Sequence, residues 1–181
     1  MLNYKIISKI LGSLLWLEAT LMFYCLIVAI CYGEHDQLPF VWSILILVGA
    51  GELFRLYGRK ASTSLGRREA YFVVTVTWVL YSFFGTLPFM FDNPSMLFTD
   101  AYFETMSGFT TTGATILDHP ENLPHGILLW RSLTQWIGGL GIVFFTIAVL
   151  PSMVGGSVKI FAAEATGPFK TKLHPRLRTS A

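Results

Sequence analysis

Asn93-Pro94-Ser95-Met96-Leu97-Phe98-Thr99-Asp100-Ala101-Tyr102-Phe103-Glu104-Thr105-Met106-Ser107-Gly108-Phe109-Thr110-Thr111-Thr112-Gly113-Ala114-Thr115 is the stretch on which the fold turns. Proline keeps the residue before it out of the helical region, so Asn93-Pro94-Ser95 ends the preceding run and offers a cap to the next segment. Met96 to Phe109 then reads as a short helix, with Leu97, Ala101, Phe103 and Met106 among its apolar members. At about 14 residues it is too short to cross a hydrocarbon core, which takes about 20. In Thr110 to Thr115, β-branched threonines resist helix and Gly113 opens backbone angles closed to other residues. The chain is therefore expected to run extended there. Asp118, Pro120, Asn122 and Pro124 lead away from it.

The surroundings of this stretch are strongly apolar. Of 181 residues, 53% are hydrophobic and 13% charged, against about 25% charged in soluble domains. Four runs are long enough to span a bilayer: Ile10 to Tyr32, Leu38 to Tyr57, Ala70 to Phe91 and Gly126 to Leu150. The first is read as a retained anchor rather than a signal peptide, because its core is too long and no small-residue cleavage site comes after it. Cys25 and Cys31 both lie in it and point apart on a helix, so they are read as unbridged. A net charge of +2 gives no case for nucleic acid.

The positions of the charges are more informative than their sum. Lys5 and Lys9 precede the first run. Arg55, Arg59, Lys60, Arg67 and Arg68 come after the second, and Lys159, Lys170, Lys172, Arg176 and Arg178 after the fourth. All fall on one side of a four-span topology, while Glu34, Asp36, Asp92, Asp100, Glu104, Asp118 and Glu121 fall on the other. The positive-inside rule then places both termini in the cytoplasm and an acidic face outside.

A short helix, an extended Thr/Gly segment and a return between two spans make a re-entrant pore loop. The helix entering from outside directs its carboxyl end, with partial negative charge, toward the membrane centre. The segment after it aims main-chain carbonyls and threonine hydroxyls at a dehydrated cation. Irregular backbone at that depth is tolerated only where it lines a wet cavity or is packed in protein. The expected fold is an all-α membrane protein. It has four transmembrane helices, one re-entrant pore half-helix and an extended filter segment. Residues 1–69 form two amino-terminal spans and a loop, 70–151 a helix–pore loop–helix repeat, and 152–181 a cytoplasmic connector.

Phe103 to Thr115, with Leu129-Trp130-Arg131-Ser132-Leu133-Thr134-Gln135-Trp136-Ile137-Gly138-Gly139-Leu140-Gly141 after it, resembles the first pore loop and adjoining helix of the Trk/Ktr/HKT superfamily. Within that superfamily the chain is similar to the membrane subunits of bacterial Trk potassium uptake systems. The resemblance implies four such repeats around one pore in the plasma (inner) membrane, with potassium as the transported ion. It implies that the carbonyls of Thr111, Thr112 and Gly113 line the filter, supported by Ala114, Thr115, Glu104, Arg131, Gly138 and Gly139. It implies a homodimer and a cytoplasmic nucleotide-binding regulatory subunit. No cofactor is expected in the chain itself, which has no nucleotide-binding pattern. One repeat supplies a quarter of a filter, so further repeats or copies of the chain are expected as partners, and the chain reads as the first third or so of such a subunit.

Several residues keep more than one reading. Gly138, Gly139 and Gly141 let the pore loop approach closely, or form a bend used in gating. Arg131, at a membrane edge, snorkels or pairs with an acidic residue such as Glu104. Glu104 either orients the filter by hydrogen bonds or faces the outer vestibule. Glu18 needs a partner and is read as structural. Trp16, Trp42, Trp78, Trp130 and Trp136 are interfacial or packing residues. Gly155 and Gly156 are expected to break the last helix beyond Pro151. Asp100, Glu104, His119 and His125 show no ligand spacing of the His-Glu-x-x-His kind, so an enzyme is not expected. The alternative to potassium uptake is a non-conducting structural protein that keeps the repeat fold.

Overall fold

The computed structural model describes residues 2–59, 61 and 67–153. Helix α1 (Tyr4–Tyr32) and α2 (Gln37–Tyr57) are followed by α3 (Arg67–Gly85), α4 (Leu87–Asp92), α5 (Phe98–Phe109), a 3-10 turn (Pro120–Asn122) and α6 (His125–Met153). No strand occurs among the described residues. Residues Met1–Phe144 form one compact unit. The second, Phe145–Ala181, is described only to Met153, as the last turns of α6. The expectations for Lys60, Gly155, Gly156 and the 152–181 connector fall wholly or largely outside the described residues.

Among the described residues, three segments are long and apolar enough to cross a membrane: Tyr4–Tyr32, Gln37–Tyr57 and Arg68–Asp92. Their outward surfaces stay hydrophobic, with Leu17, Phe23, Ile30, Leu45 and Val79 all exposed. Helix α6 has 29 residues and one Lys/Arg/Asp/Glu residue, Arg131.

The four-residue turn Gly33-Glu34-His35-Asp36 joins α1 and α2 as an antiparallel hairpin, α1 ending on Gly33 in the left-handed conformation. The two backbones approach very closely: a Cβ on Gly12 would lie 2.6 Å from the Gly51 carbonyl oxygen. In lipid there is little hydrophobic drive between helices, so such small-residue seams carry the packing. Tyr81 of α3 adds a hydroxyl bond to the Leu14 carbonyl, 2.8 Å.

The third apolar run, expected as one span from Ala70 to Phe91, is interrupted at Thr86, between α3 and α4. Pro88 is the cause: it has no N–H for the Phe84 carbonyl, and its ring crowds that turn. The neighbouring Gly85 carbonyl accepts from the Trp130 indole Nε1, 3.0 Å, which ties the break to α6. The expected cap before the short helix also differs. Leu97 is the N-cap of α5 and makes no side-chain cap bond. Asn93 instead uses its side-chain oxygen to accept from the Ser95 N–H, 3.1 Å, closing a local Asx turn.

Helix α5 is 12 residues, roughly 18 Å long against a hydrocarbon core of about 30 Å. It lies between α3 and α6. The Thr105 hydroxyl reaches the Ser82 carbonyl at 3.0 Å, and Phe109, fully buried, sits against Tyr81 and Trp130 with ring centroids 5.4 Å and 6.2 Å away. Towards α6 the fit is tighter still. A Cβ on Gly138 would collide with the Phe109 carbonyl, and one on Gly108 with the Thr134 hydroxyl. Gly139 differs, its nearest neighbour being the Thr111 methyl at 3.9 Å, and Gly141 faces Trp78 of α3 rather than α5. Close approach to the α5 end therefore belongs to Gly138 alone among the three.

Gly138→Ala is expected to lower unfolding stability in detergent by about 1–3 kcal/mol, the usual cost of overpacking a site with no room. Gly139→Ala is expected to be neutral or slightly stabilising, since alanine favours helix over glycine by up to about 1 kcal/mol. Equal melting shifts for the two variants would contradict this account.

Candidate functional site

The segment after α5 turns before it extends. Thr110 still has near-helical angles, and its N–H and hydroxyl both bond the Met106 carbonyl, at 2.9 and 2.7 Å. Thr111 is left-handed, φ 57°, and Gly113 likewise, φ 75°. The Thr111 N–H bonds the Gly108 carbonyl and the Thr112 N–H that of Ser107, at 2.9 and 3.0 Å. These bonds satisfy the last carbonyls of α5, as a left-handed cap does. The expectation of an extended chain from Thr110 is therefore corrected: Thr110 and Thr111 form the helix cap, and regular structure is absent only from Thr112 onward. A threonine at positive φ is unusual, and its strain is held by the surrounding bonds.

Beyond the cap, the carbonyls of Thr110, Thr111, Thr112 and Gly113 accept no hydrogen bond among the described residues, whereas the Ala114 carbonyl accepts from the Ser107 hydroxyl at 2.6 Å. Thr111 to Ile116 are exposed. One main-chain stretch thus presents four consecutive unbonded carbonyls, with alternating backbone hand, beside the C-terminal end of a half-length helix.

Glu104 holds this stretch in place. Its carboxylate is almost fully buried, with a side chain 2% exposed. Oε1 accepts from Arg131 Nε at 2.6 Å. The Thr115 hydroxyl lies 3.1 and 2.9 Å from the two oxygens, and the Ile116 N–H donates to Oε2 at 3.1 Å. One side chain of α5 therefore binds α6 and the returning segment at once. It does not face open solvent, and Arg131 points to it rather than outward. Such charge-assisted bonds in a dry setting are the strong kind. The role of Ser107 as a strut to the Ala114 carbonyl was not visible in the sequence, because nothing in residue spacing shows which hydroxyl meets the returning segment.

A second group ties the α1–α2 turn to the start of α6. Glu34 accepts from the His125 main-chain N–H at 2.6 Å and sits 2.7 Å from His125 Nδ1. It thus satisfies one of the orphan donors of that helix end. Tyr32 stacks on the His125 ring at 3.9 Å. His35 Nε2 is 3.3 Å from Asp92. Asp36 is fully buried, and both its carboxylate oxygens lack a hydrogen bond among the described residues. The His125 hydrogen bond holds Glu34 below its ordinary value of 4.5, whereas burial raises Asp36. Glu18 is likewise buried on α1 without a hydrogen-bond partner among the described residues. No cluster of three His, Cys, Asp or Glu able to hold a metal occurs among the described residues. A monovalent cation at main-chain oxygens needs none.

Comparison with known proteins places this geometry in context. A family model for TrkH, a cation transport protein, matches residues 39–180. The Trk system potassium uptake protein TrkH of Escherichia coli K12 is 35% identical over 182 residues, covering 99% of this chain and 38% of that protein. TrkI of Halomonas elongata is 37% identical over 170 residues, covering 94% of this chain and 34% of that protein. The crystal structure of the potassium transporter TrkH from Vibrio parahaemolyticus superposes with a TM-score of 0.78 at 33% identity, covering 90% of this chain and 35% of that one. The chain thus spans little more than a third of the length of the curated relatives it matches.

Glu104→Gln is expected to cost about 2–3 kcal/mol, because Arg131 loses its charged partner in a partly dry site. In a double-mutant cycle, Glu104→Gln with Arg131→Gln is expected to cost less than the two single changes added together, read by unfolding in detergent. Acidification supplies a second check. The folded value of Glu34 lies below its unfolded one, so its contribution is present above pH 4.5 and is lost as pH falls through the lowered value. Asp36, raised, acts with the opposite sign. Glu34→Gln is therefore expected to lessen the acid-induced loss in thermal unfolding curves while leaving the Asp36 contribution.

Proposed function

This chain belongs to the TrkH family of cation transport proteins, and we propose that it supplies one quarter of the filter of a potassium uptake pore in the inner membrane. The observation that carries this reading is the run of unbonded carbonyls from Thr110 to Gly113 beside the end of α5. In the proposed pore, α5 is the re-entrant half-helix, and its negative end adds to the field felt by an approaching cation. The carbonyls of Thr111, Thr112 and Gly113 replace part of the hydration shell of K+, the transported ion. The left-handed turns at Thr111 and Gly113 swing successive carbonyls, and glycine does so without a Cβ in the way. Glu104, Arg131, Thr115 and the Ser107–Ala114 bond keep the oxygens from collapsing onto the site when it is empty of ion, which is the preorganisation that selectivity requires.

A complete ring needs three more such segments, and these come from further repeats of the same polypeptide or from other copies of the chain. The relatives' names, Trk system potassium uptake proteins, support potassium as the cargo. They also support a place in a multi-component system with a cytoplasmic regulatory subunit. The sorting of basic residues to one side supports termini facing the cytoplasm.

The test is potassium uptake in cells lacking their own uptake systems, with the chain in its transporting assembly. Gly113→Ser is expected to lower K+ over Na+ discrimination by about tenfold, roughly 1.4 kcal/mol of differential binding. Unaltered discrimination and rate in a correctly inserted Gly113→Ser protein would defeat the proposal.

A further inference from the structure

The pore leaves the α1–α2 hairpin without a task, and its basic end carries a feature of its own. Where α2 finishes, Lys9, Glu52, Arg55, Leu56 and Arg59 line a cleft of about 320 Å³. Glu52 and Arg55 sit on α2 three residues apart, and Arg59 lies in the turn just past its end, four residues further on. Lys9 is brought beside them by the tight seam: a Cβ on Gly58 would lie 2.6 Å from the Lys9 main-chain nitrogen. Three cations therefore converge from two helices.

Only one of them has an anionic partner. Arg55 Nη1 lies 3.8 Å from Glu52, and both side chains are half exposed, a geometry that is worth little in water. Lys9 and Arg59 form no ion pair among the described residues. The cleft thus holds a local excess of two positive charges. The Arg55 guanidinium also stands 5.9 Å above the Trp16 ring. Trp16 lies two helical turns from Lys9 towards the middle of the span, and Trp16 and Leu56 are both exposed. Cations next to exposed aromatic and aliphatic surface, at the end of a lipid-facing helix pair, suit an amphiphile: a phosphate on Lys9 and Arg59, and a chain laid along Trp16 and Leu56.

We infer that this cleft binds the headgroup phosphate of an anionic phospholipid, and so fixes the depth of the α1–α2 hairpin in the basic-side leaflet. Lys9 and Arg59 donate to the phosphate, Arg55 shifts between Glu52 and the lipid, and the acyl chain runs past Trp16 beneath Arg55. The cleft is of a size for one headgroup, and three cations within it are too few for an extended acidic protein surface. Basic pockets between spans are an expected lodging for such lipids, each cation near the surface contributing about a fivefold gain in binding.

The purified chain in mild detergent, supplied with phosphatidylglycerol or with phosphatidylcholine of the same acyl chains, gives the test by native mass spectrometry. Phosphatidylglycerol is expected to be retained selectively. Lys9→Gln combined with Arg59→Gln is expected to lower its retention about 25-fold, and Arg59→Lys to keep most of it. Arg68→Gln, an exposed cation outside the cleft, is expected to change nothing, with helicity checked for every variant. Equal retention of the two lipids, or an equal loss in Arg68→Gln, would overturn the inference. Inorganic phosphate binding as well as the lipid would reassign the cleft to a free anion. Unchanged lipid retention with lost binding of an acidic cytoplasmic protein would reassign it to a protein partner.

Discussion

The buried carboxylate of Glu104 is the interaction on which the rest of the site depends. A charge with 2% exposure is tolerable only when its lone pairs are filled. Here they are filled from two separate parts of the chain: Arg131 answers it from α6, and Thr115 and Ile116 bring the returning segment to it. None of these partners is a neighbour in sequence. The loop between Phe109 and Ile116 is therefore not free to choose its path, because any other path would leave the carboxylate unpaired in a dry place.

Steric constraints narrow what the hydrogen bonds leave open. Phe109, wedged between Tyr81 and Trp130, fixes the height at which α5 stops. The absence of a side chain at Gly138 lets the Phe109 carbonyl approach α6 directly. The Gly85 carbonyl, beside the break at Thr86, accepts from the Trp130 indole N–H and so locks α3 and α6 at the same level. The Thr111–Gly113 carbonyls inherit their placement from these contacts. Beside the start of α6 and the end of α4, the turn Gly33 to Asp36 acts on both halves of the fold. Glu34 caps α6, and His35 approaches Asp92 at the end of α4. The amino-terminal hairpin is thereby joined to α4 and α6 by polar contacts as well as to α3 by an apolar seam.

Much of this was legible from residue type and order. The apolar runs are long because backbone polar groups in lipid must bond within their own helix, so hydropathy alone marked α1, α2 and the third span, and the short amphipathic stretch before Thr110 marked α5. Chain composition was silent on two points where local and tertiary effects compete. Threonine propensity argued for extension from Thr110, but the end of α5 needed its carbonyls satisfied, and Thr110 and Thr111 were drawn into the cap. Three glycines in a row of four looked alike, yet only Gly138 meets the α5 terminus.

The amino-acid sequence by itself determined the helical, membrane-spanning character of the chain, the half-length helix and the Thr/Gly segment after it, because these arise from periodicity, length and backbone preferences that act over a few residues. Tertiary structure alone decided which carboxylate meets which cation, which carbonyls stay unbonded and which glycine is indispensable. Those outcomes depend on groups 11 and 27 residues apart along the chain being brought within hydrogen-bond reach, and no local rule carries information over that separation.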